Sequence, residues 1–198
     1  MEQSIQAGDA VFFWGGGFLG DGIRIFSGGL KMDAPSHVAR IYDIDMPLPD
    51  GSKQVEWHVI EATILNGVNG VQLNTLASRV NGYEGACGVA HLSAKVREFL
   101  DWPRMLSYAQ TEIGKQRYND VELAEYLADA VLPGFLQIDR TNPRAVVCSE
   151  LAANLLRAGG WPALDPPRTS PLALFSWRMY DGFTVLGGNP PMDRFNRV

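Results

Sequence analysis

A nucleophilic cysteine site needs a thiol, an imidazole and a group to orient the imidazole. This chain offers few thiols or imidazoles to choose among, with two cysteines and three histidines in 198 residues. Cys148 lies in "RAVVCSELAANLLRAGG", residues 144–160, where an apolar β-like run, Ala145-Val146-Val147, turns into a helix-like run that stops at Gly159-Gly160. A cysteine is often only a small buried hydrophobe. At a helix N-terminus it is also where thiolate is favoured, because the first turn presents free N–H groups and the positive end of the helix dipole. The same N–H groups, that of Cys148 included, suit the oxyanion of a tetrahedral intermediate. The chemistry this would support is acyl transfer through a thioester.

His37, in "APSHVARIY", starts a strand directly after a glycine-rich loop. There a rigid scaffold can hold a side chain while a ligand still enters. His58 and His91 fall inside other strands and read as ordinary strand residues. Glu61, in "HVIEAT", stands near the end of the third predicted strand. Residues 57, 59 and 61 share one strand face and 58 and 60 share the other. An antiparallel hairpin through the turn at 46–52 would lay the start of the second strand beside the end of the third. That brings His37 to Glu61 and turns His58 away. Cys87, in "YEGACGVAH", reads as inert.

The elements that must position these groups follow from local pattern. Strands are predicted over 9–14, 37–43, 55–63 and 87–92, with shorter ones at 71–73 and 183–186. Asp101 caps a predicted helix with Pro103 in its first turn, and Met105, Leu106, Ala109 and Ile113 recur at helical spacing. Asp120 caps another, "DVELAEYLADAVL", ending before Pro133-Gly134, so a helical segment is expected over about 101–133. A third helix runs from Cys148 to Ala158. Leu151, Ala152 and Leu155 share the face of Cys148, which turns the sulfur towards the sheet. Glu150, in the first turn, suits the dipole. Residues 15–29 hold seven glycines and read as a loop with one short helical turn at 21–27. The pattern is that of a single α+β domain over 1–198, an antiparallel sheet with its helices gathered separately.

Composition narrows the function classes. Hydrophobic content of 46% and charged content of 20% are those of a globular chain. A net charge of −5 without a Lys/Arg cluster argues against nucleic acid. Two cysteines make no disulfide scaffold, although a single Cys87–Cys148 bridge is conceivable. No ligand pair has tight metal-site spacing, so no metal and no cofactor are expected. The glycine-rich loop lacks the Lys-Ser/Thr ending of a P-loop. No stretch approaches the roughly 20 apolar residues of a membrane span. The start, "MEQSIQAGDAVFF", has no secretory n-region and apolar core. The expectation is a protein cytoplasmic as synthesised, which, if it acts outside, would be carried there by a virion or another secretion route.

The segments "GDAVFFWGG", "SHVARIYDID" and "WHVIEAT", in that order, resemble the NlpC/P60 cysteine peptidases. In the standard family the nucleophile helix precedes these strands. Here the matching helix, "VVCSELAANLL", follows them, and "IGKQRYND" resembles the segment that permuted members place before the cysteine. The order is similar to the circularly permuted, YiiX/YaeF-like branch of the papain-like superfamily. The resemblance covers about residues 8–63 and 106–158. It implies a permuted papain-like fold, with Cys148 as nucleophile, His37 as general base and Glu61 as its orienter. It points to peptidoglycan peptides as substrate, cleaved by an endopeptidase or amidase. Lipid-directed acyl transfer or thioester hydrolysis, and a structural role in a phage particle, are the alternatives. Tyr118, Gly16 and Gly17 are the candidate substrate contacts. Two departures stand out, Arg40 inside "HVARIY" and the glycine density before His37.

Overall fold

The computed structural model describes residues 4–15, 34–47, 53–65, 67–114, 117–118, 145–161, 169–176 and 178–191. Gly16, Gly17 and the predicted Asp120 helix lie outside the described residues, and for Tyr118 only the backbone is described. In chain order come β1 (Ala10–Trp14), β2 (His37–Pro47), β3 (Lys53–Leu65), β4 (Val68–Thr75), α1 (Leu76–Asn81) and β5 (Ala86–Leu92). Then follow α2 (Ala94–Phe99), α3 (Trp102–Glu112), β6 (Arg117–Tyr118), β7 (Ala145–Val146), α4 (Cys148–Ala158), α5 (Pro171–Phe175) and β8 (Tyr180–Gly187).

Six strands form one antiparallel sheet in the order β4-β3-β2-β1-β5-β8. The architecture is α+β, as the sequence pattern predicts. The run "AVFFW" is buried at all five positions because β1 lies inside the sheet and both faces are covered. On one face Ala10, Phe12, Trp14, Val38 and Ala90 pack with Cys148, Ala152 and Leu156 of α4. Further along that face Ile60, Ala62 and Val71 meet Met105 and Ala109 of α3 and Leu151 and Leu155 of α4. On the other face Val11, Phe13, Ala39, Val59 and Val89 pack with Leu76 of α1.

Strand ends follow turn chemistry more than hydropathy. The β3–β4 hairpin turns at Gly67, with φ 77°, a left-handed conformation that glycine adopts without strain. It carries β4 over all of Val68–Thr75, well beyond the predicted 71–73. Three helices, α1, α2 and α5, are absent from the sequence reading. They are six, six and five residues long, too short for a helical period to declare itself. Their caps are nonetheless orthodox. Thr75 and Ser93 accept first-turn N–H groups in α1 and α2, as Asp101 does in α3 and Ser170 in α5.

The start of β1 is pinned by a buried carboxylate. Asp9 is fully buried, and its Oδ1 accepts from the Leu92 N–H at 2.8 Å and from Arg97. Its Oδ2 accepts from the Gln6 N–H and from His91 Nδ1, each at 3.0 Å. Because a carboxylate only accepts, His91 carries its proton on Nδ1, which leaves Nε2 facing Thr184 Oγ1 at 2.8 Å. His91 is therefore a structural clasp between β1, β5 and β8. The buried Arg40 serves the same end of the sheet. It donates to the Gly8 carbonyl at 3.1 Å, with its guanidinium carbon 5.9 Å from the Tyr180 ring centroid.

Gly8 is the residue this corner requires. Its φ is +84°, and a Cβ there would come within 1.9 Å of the Trp102 ring. Gly8→Ala combines left-handed strain with overpacking, and together these should cost about 2 kcal/mol or more. Urea unfolding of the variant, with unchanged slope and a lowered midpoint, is the expected result.

Candidate active site

Cys148 opens α4, and how it does so matters. The other described helices have a Ser, Thr or Asp side chain on their first-turn N–H groups. α4 has Val147 at its cap position and no side-chain cap bond. The first main-chain bond of the helix runs from the Leu151 N–H to the Val147 carbonyl. The N–H groups of Cys148 and Ser149 therefore lack an acceptor among the described residues. A two-residue parallel pairing, Arg117 with Ala145 and Tyr118 with Val146, delivers the chain to this point. Leu151, Ala152 and Leu155 are buried as the helical spacing predicts.

His37 is the first residue of β2 and pairs with Phe13, whose ring lies 5.5 Å from its own. β2 and β3 pair antiparallel with Arg40 opposite Ile60. That register brings the start of β2 to the end of β3. His37 Nε2 lies 2.7 Å from Glu61 Oε2, so Nε2 carries the proton and Nδ1 is left for the thiol. Cys148 packs with Trp14 and Val38 on the α4 face, whereas Glu61 belongs to the α1 face. Thiol and imidazole meet at the end of the sheet where β2 begins, close enough for hydrogen bonding and a direct charge interaction. His58 turns away and bonds the Glu56 carbonyl at 3.0 Å.

The electrostatics favour an ion pair. Burial alone would push the His37 ring down. The Cys148 sulfur and then the Glu61 carboxylate more than offset that, and carry it from 6.5 up to about 9. Burial alone would push the Glu61 carboxyl up. The His37 hydrogen bond and charge, helped by Arg79 and Asn74, instead hold it below the usual carboxylate range. The imidazole side chain is 14% exposed and the carboxylate 0%. The imidazole is thus the more exposed of the two.

No protein-family model matches the chain, and no curated protein matches it.

Two neighbours of Glu61 were not anticipated. Arg79, on α1, forms an ion pair with Oε1 at 2.6 Å and donates to Oε2 at 3.0 Å. Asn74, on β4, donates to Oε1 at 2.9 Å. Asn74 had a readable signal, since a hairpin turned at Gly67 puts it on the face of Val59 and Glu61. Arg79 had none, being one arginine on a helix too short to read. Cys87, the second thiol, is free and buried. Burial pushes its pKa up, with Arg79 opposing. Among the described residues no three His, Cys, Asp or Glu side chains group as a metal site would need. No described helix is long and apolar enough to cross a membrane.

His37 gives a signed pH dependence. Its pKa is raised on folding, so its contribution to stability is complete below pH 6.5 and is lost as pH rises through about 9. The difference in unfolding free energy between the protein and His37→Gln should shrink over that interval. Glu61→Gln should lower the His37 midpoint, read from the ring protons by NMR, because an amide orients the ring without stabilising its charge. Glu61→Ala should lower it at least as far. An unmoved midpoint in both would remove Glu61 from the site.

Proposed function

We propose that this protein is a cysteine hydrolase that cleaves an amide bond through an acyl-enzyme, with peptidoglycan peptides as its substrate, on a permuted NlpC/P60, papain-like fold. The observation that carries the reading is the convergence of three groups. A cysteine on an uncapped helix N-terminus lies against an imidazole whose other nitrogen is held by a buried carboxylate. Packing does not call for such an arrangement. A structural cysteine needs no imidazole, and what separates His37 from His91, which a carboxylate also holds, is the thiol at its other nitrogen.

The chemistry follows from the geometry. Proton transfer from Cys148 to His37 Nδ1 makes thiolate and imidazolium. The thiolate attacks the scissile carbonyl carbon, and the oxyanion so formed is met by the Cys148 N–H. His37 returns the proton to the leaving amine as the C–N bond breaks, which leaves a thioester on Cys148. Water enters in place of the amine, His37 takes its proton, and hydroxide attacks the thioester. Collapse releases a carboxylic acid and the thiolate. Glu61 stays ionised throughout. It fixes the tautomer and stabilises the imidazolium.

Peptidoglycan as substrate rests on the resemblance of "SHVARIYDID", "HVIEAT" and "VVCSELAANLL" to that family. Digestion of purified cell wall, with the released peptides and amines identified by mass, tests it. Cys148→Ala should keep the fold and lose hydrolysis by several orders of magnitude, since the covalent route goes with the sulfur. Iodoacetamide at neutral pH should label Cys148 well ahead of Cys87. Labelling of Cys87 first would overturn the site. A wild-type protein that leaves wall intact but transfers or hydrolyses lipid acyl groups would move the reading to an acyltransferase or thioesterase. Inertness on both, with recovery in purified particles, would make it a structural component.

A further inference from the structure

The site has a fourth charged member. Glu61 offers two oxygens with about four acceptor positions, of which the structure fills two on Oε2 and one on Oε1, with a close charge contact beside the latter. Oε2 takes His37 Nε2 at 2.7 Å and the Arg79 terminal nitrogen at 3.0 Å. Oε1 takes Asn74 at 2.9 Å and faces Arg79 Nε at 2.6 Å. The carboxylate therefore cannot turn away from the imidazole without giving up the guanidinium as well. Arg79 is itself nearly buried. The face of Phe13, the strand partner of His37, supports it, with the guanidinium carbon 5.1 Å from the ring centroid.

We propose that Arg79 is a positioning residue of this site, one that keeps Glu61 fixed and charge-balanced so that His37 exchanges its proton with Cys148 instead of being locked onto the carboxylate. This rests on the hydrolase reading above. The argument is one of charge in a buried place. With thiol and neutral imidazole, the quartet carries Glu61 negative and Arg79 positive and sums to zero. With thiolate and imidazolium it again sums to zero. Proton transfer then only rearranges charge within a neutral group. Without Arg79 both states carry a net negative charge, and the fully buried carboxylate has the imidazolium as its single cationic partner. It would hold the proton on His37, which must be released to the leaving amine. The uncompensated negative charge would also oppose thiolate at Cys148.

Among the described residues, the titratable groups facing this cluster are Cys148 from α4, Glu61 from β3, Arg79 from α1 and the buried Cys87 from β5. Tyr83 lies beyond α1, its hydroxyl 3.4 Å from Ser36 Oγ. Arg79 and His37 are the cations among them, so removing Arg79 has a definite sign. A cation within about 4–6 Å shifts a pKa by about one to three units. Its loss should raise the titration midpoints of its neighbours.

The experiment is a double-mutant cycle of Arg79→Met and Glu61→Gln, with Arg79→Lys alongside. The readouts are the His37 midpoint by NMR and the rate of Cys148 alkylation by iodoacetamide against pH. Neither readout needs a substrate. Arg79→Met should raise the His37 midpoint by about one unit or more and slow alkylation at pH 7 by about tenfold. Arg79→Lys keeps the charge and should lie close to the wild type in midpoint. In the Glu61→Gln background Arg79→Met should do much less, because there is no carboxylate left to balance. Equal effects in both backgrounds, or an unchanged midpoint and alkylation rate in Arg79→Met, overturn the proposal. If Arg79→Met does not fold, Arg79→Gln, which keeps donors to the carboxylate but removes the charge, takes its place in the same cycle. A wild-type Cys148 that resists alkylation at every pH would defeat the hydrolase reading, whereas wild-type reactivity with no Arg79 dependence would defeat this inference alone.

Discussion

An ionised carboxylate sealed from solvent survives only where donors meet its oxygens, because burial without partners costs several kcal/mol. Glu61 is such a group, and much of the surrounding structure meets that demand. β2 supplies the imidazole, β4 the Asn74 amide and α1 the Arg79 guanidinium. Three elements thus converge on the side chain that β3 carries. The three bonds arrive from different directions and fix the carboxylate in rotation as well as position. The imidazole inherits that order.

The same device appears at the opposite end of β1. Asp9 is as deeply buried as Glu61, and it is likewise met by a histidine and an arginine, with two backbone N–H groups besides. There the imidazole passes its other nitrogen to the Thr184 hydroxyl within the sheet. At His37 the other nitrogen faces a thiol. Two similar carboxylate–imidazole pairs therefore have different consequences, decided by what stands at the far nitrogen. One closes a hydrogen-bond chain within the fold, and the other ends at a thiol.

The two-sided burial of the sheet explains the division of labour between its layers. α4 and α3 cover one face with aliphatic side chains and carry the thiol, whereas α1 covers the other and carries the cation. β1 has to be apolar on both sides to sit between them, and it is. Since the layers lie on opposite faces, thiol and carboxylate can communicate only at the sheet's end, through a residue that begins a strand. His37 occupies that position. The absence of a side-chain cap on α4 belongs to the same arrangement, because a capping hydroxyl would take the N–H groups beside the sulfur.

Local pattern in the sequence determined which segments become the longer strands and helices, that Cys148 begins a helix, and that Glu61 and His58 point to opposite faces. These properties depend on periodicity and on backbone chemistry within a few residues, and such information is written locally. The pairing of His37 with Glu61 was legible as well, because a hairpin converts alternation in two neighbouring strands into a contact. Arg79 was not legible. Its six-residue helix carries no readable period, and its value depends on a buried charge contributed by another element. The structural part played by His91 was hidden for the same reason, since Asp9 meets it across a strand pairing that no local pattern announces. The tertiary structure alone decided which charges are removed from water together, and that is set by how the layers close over one another.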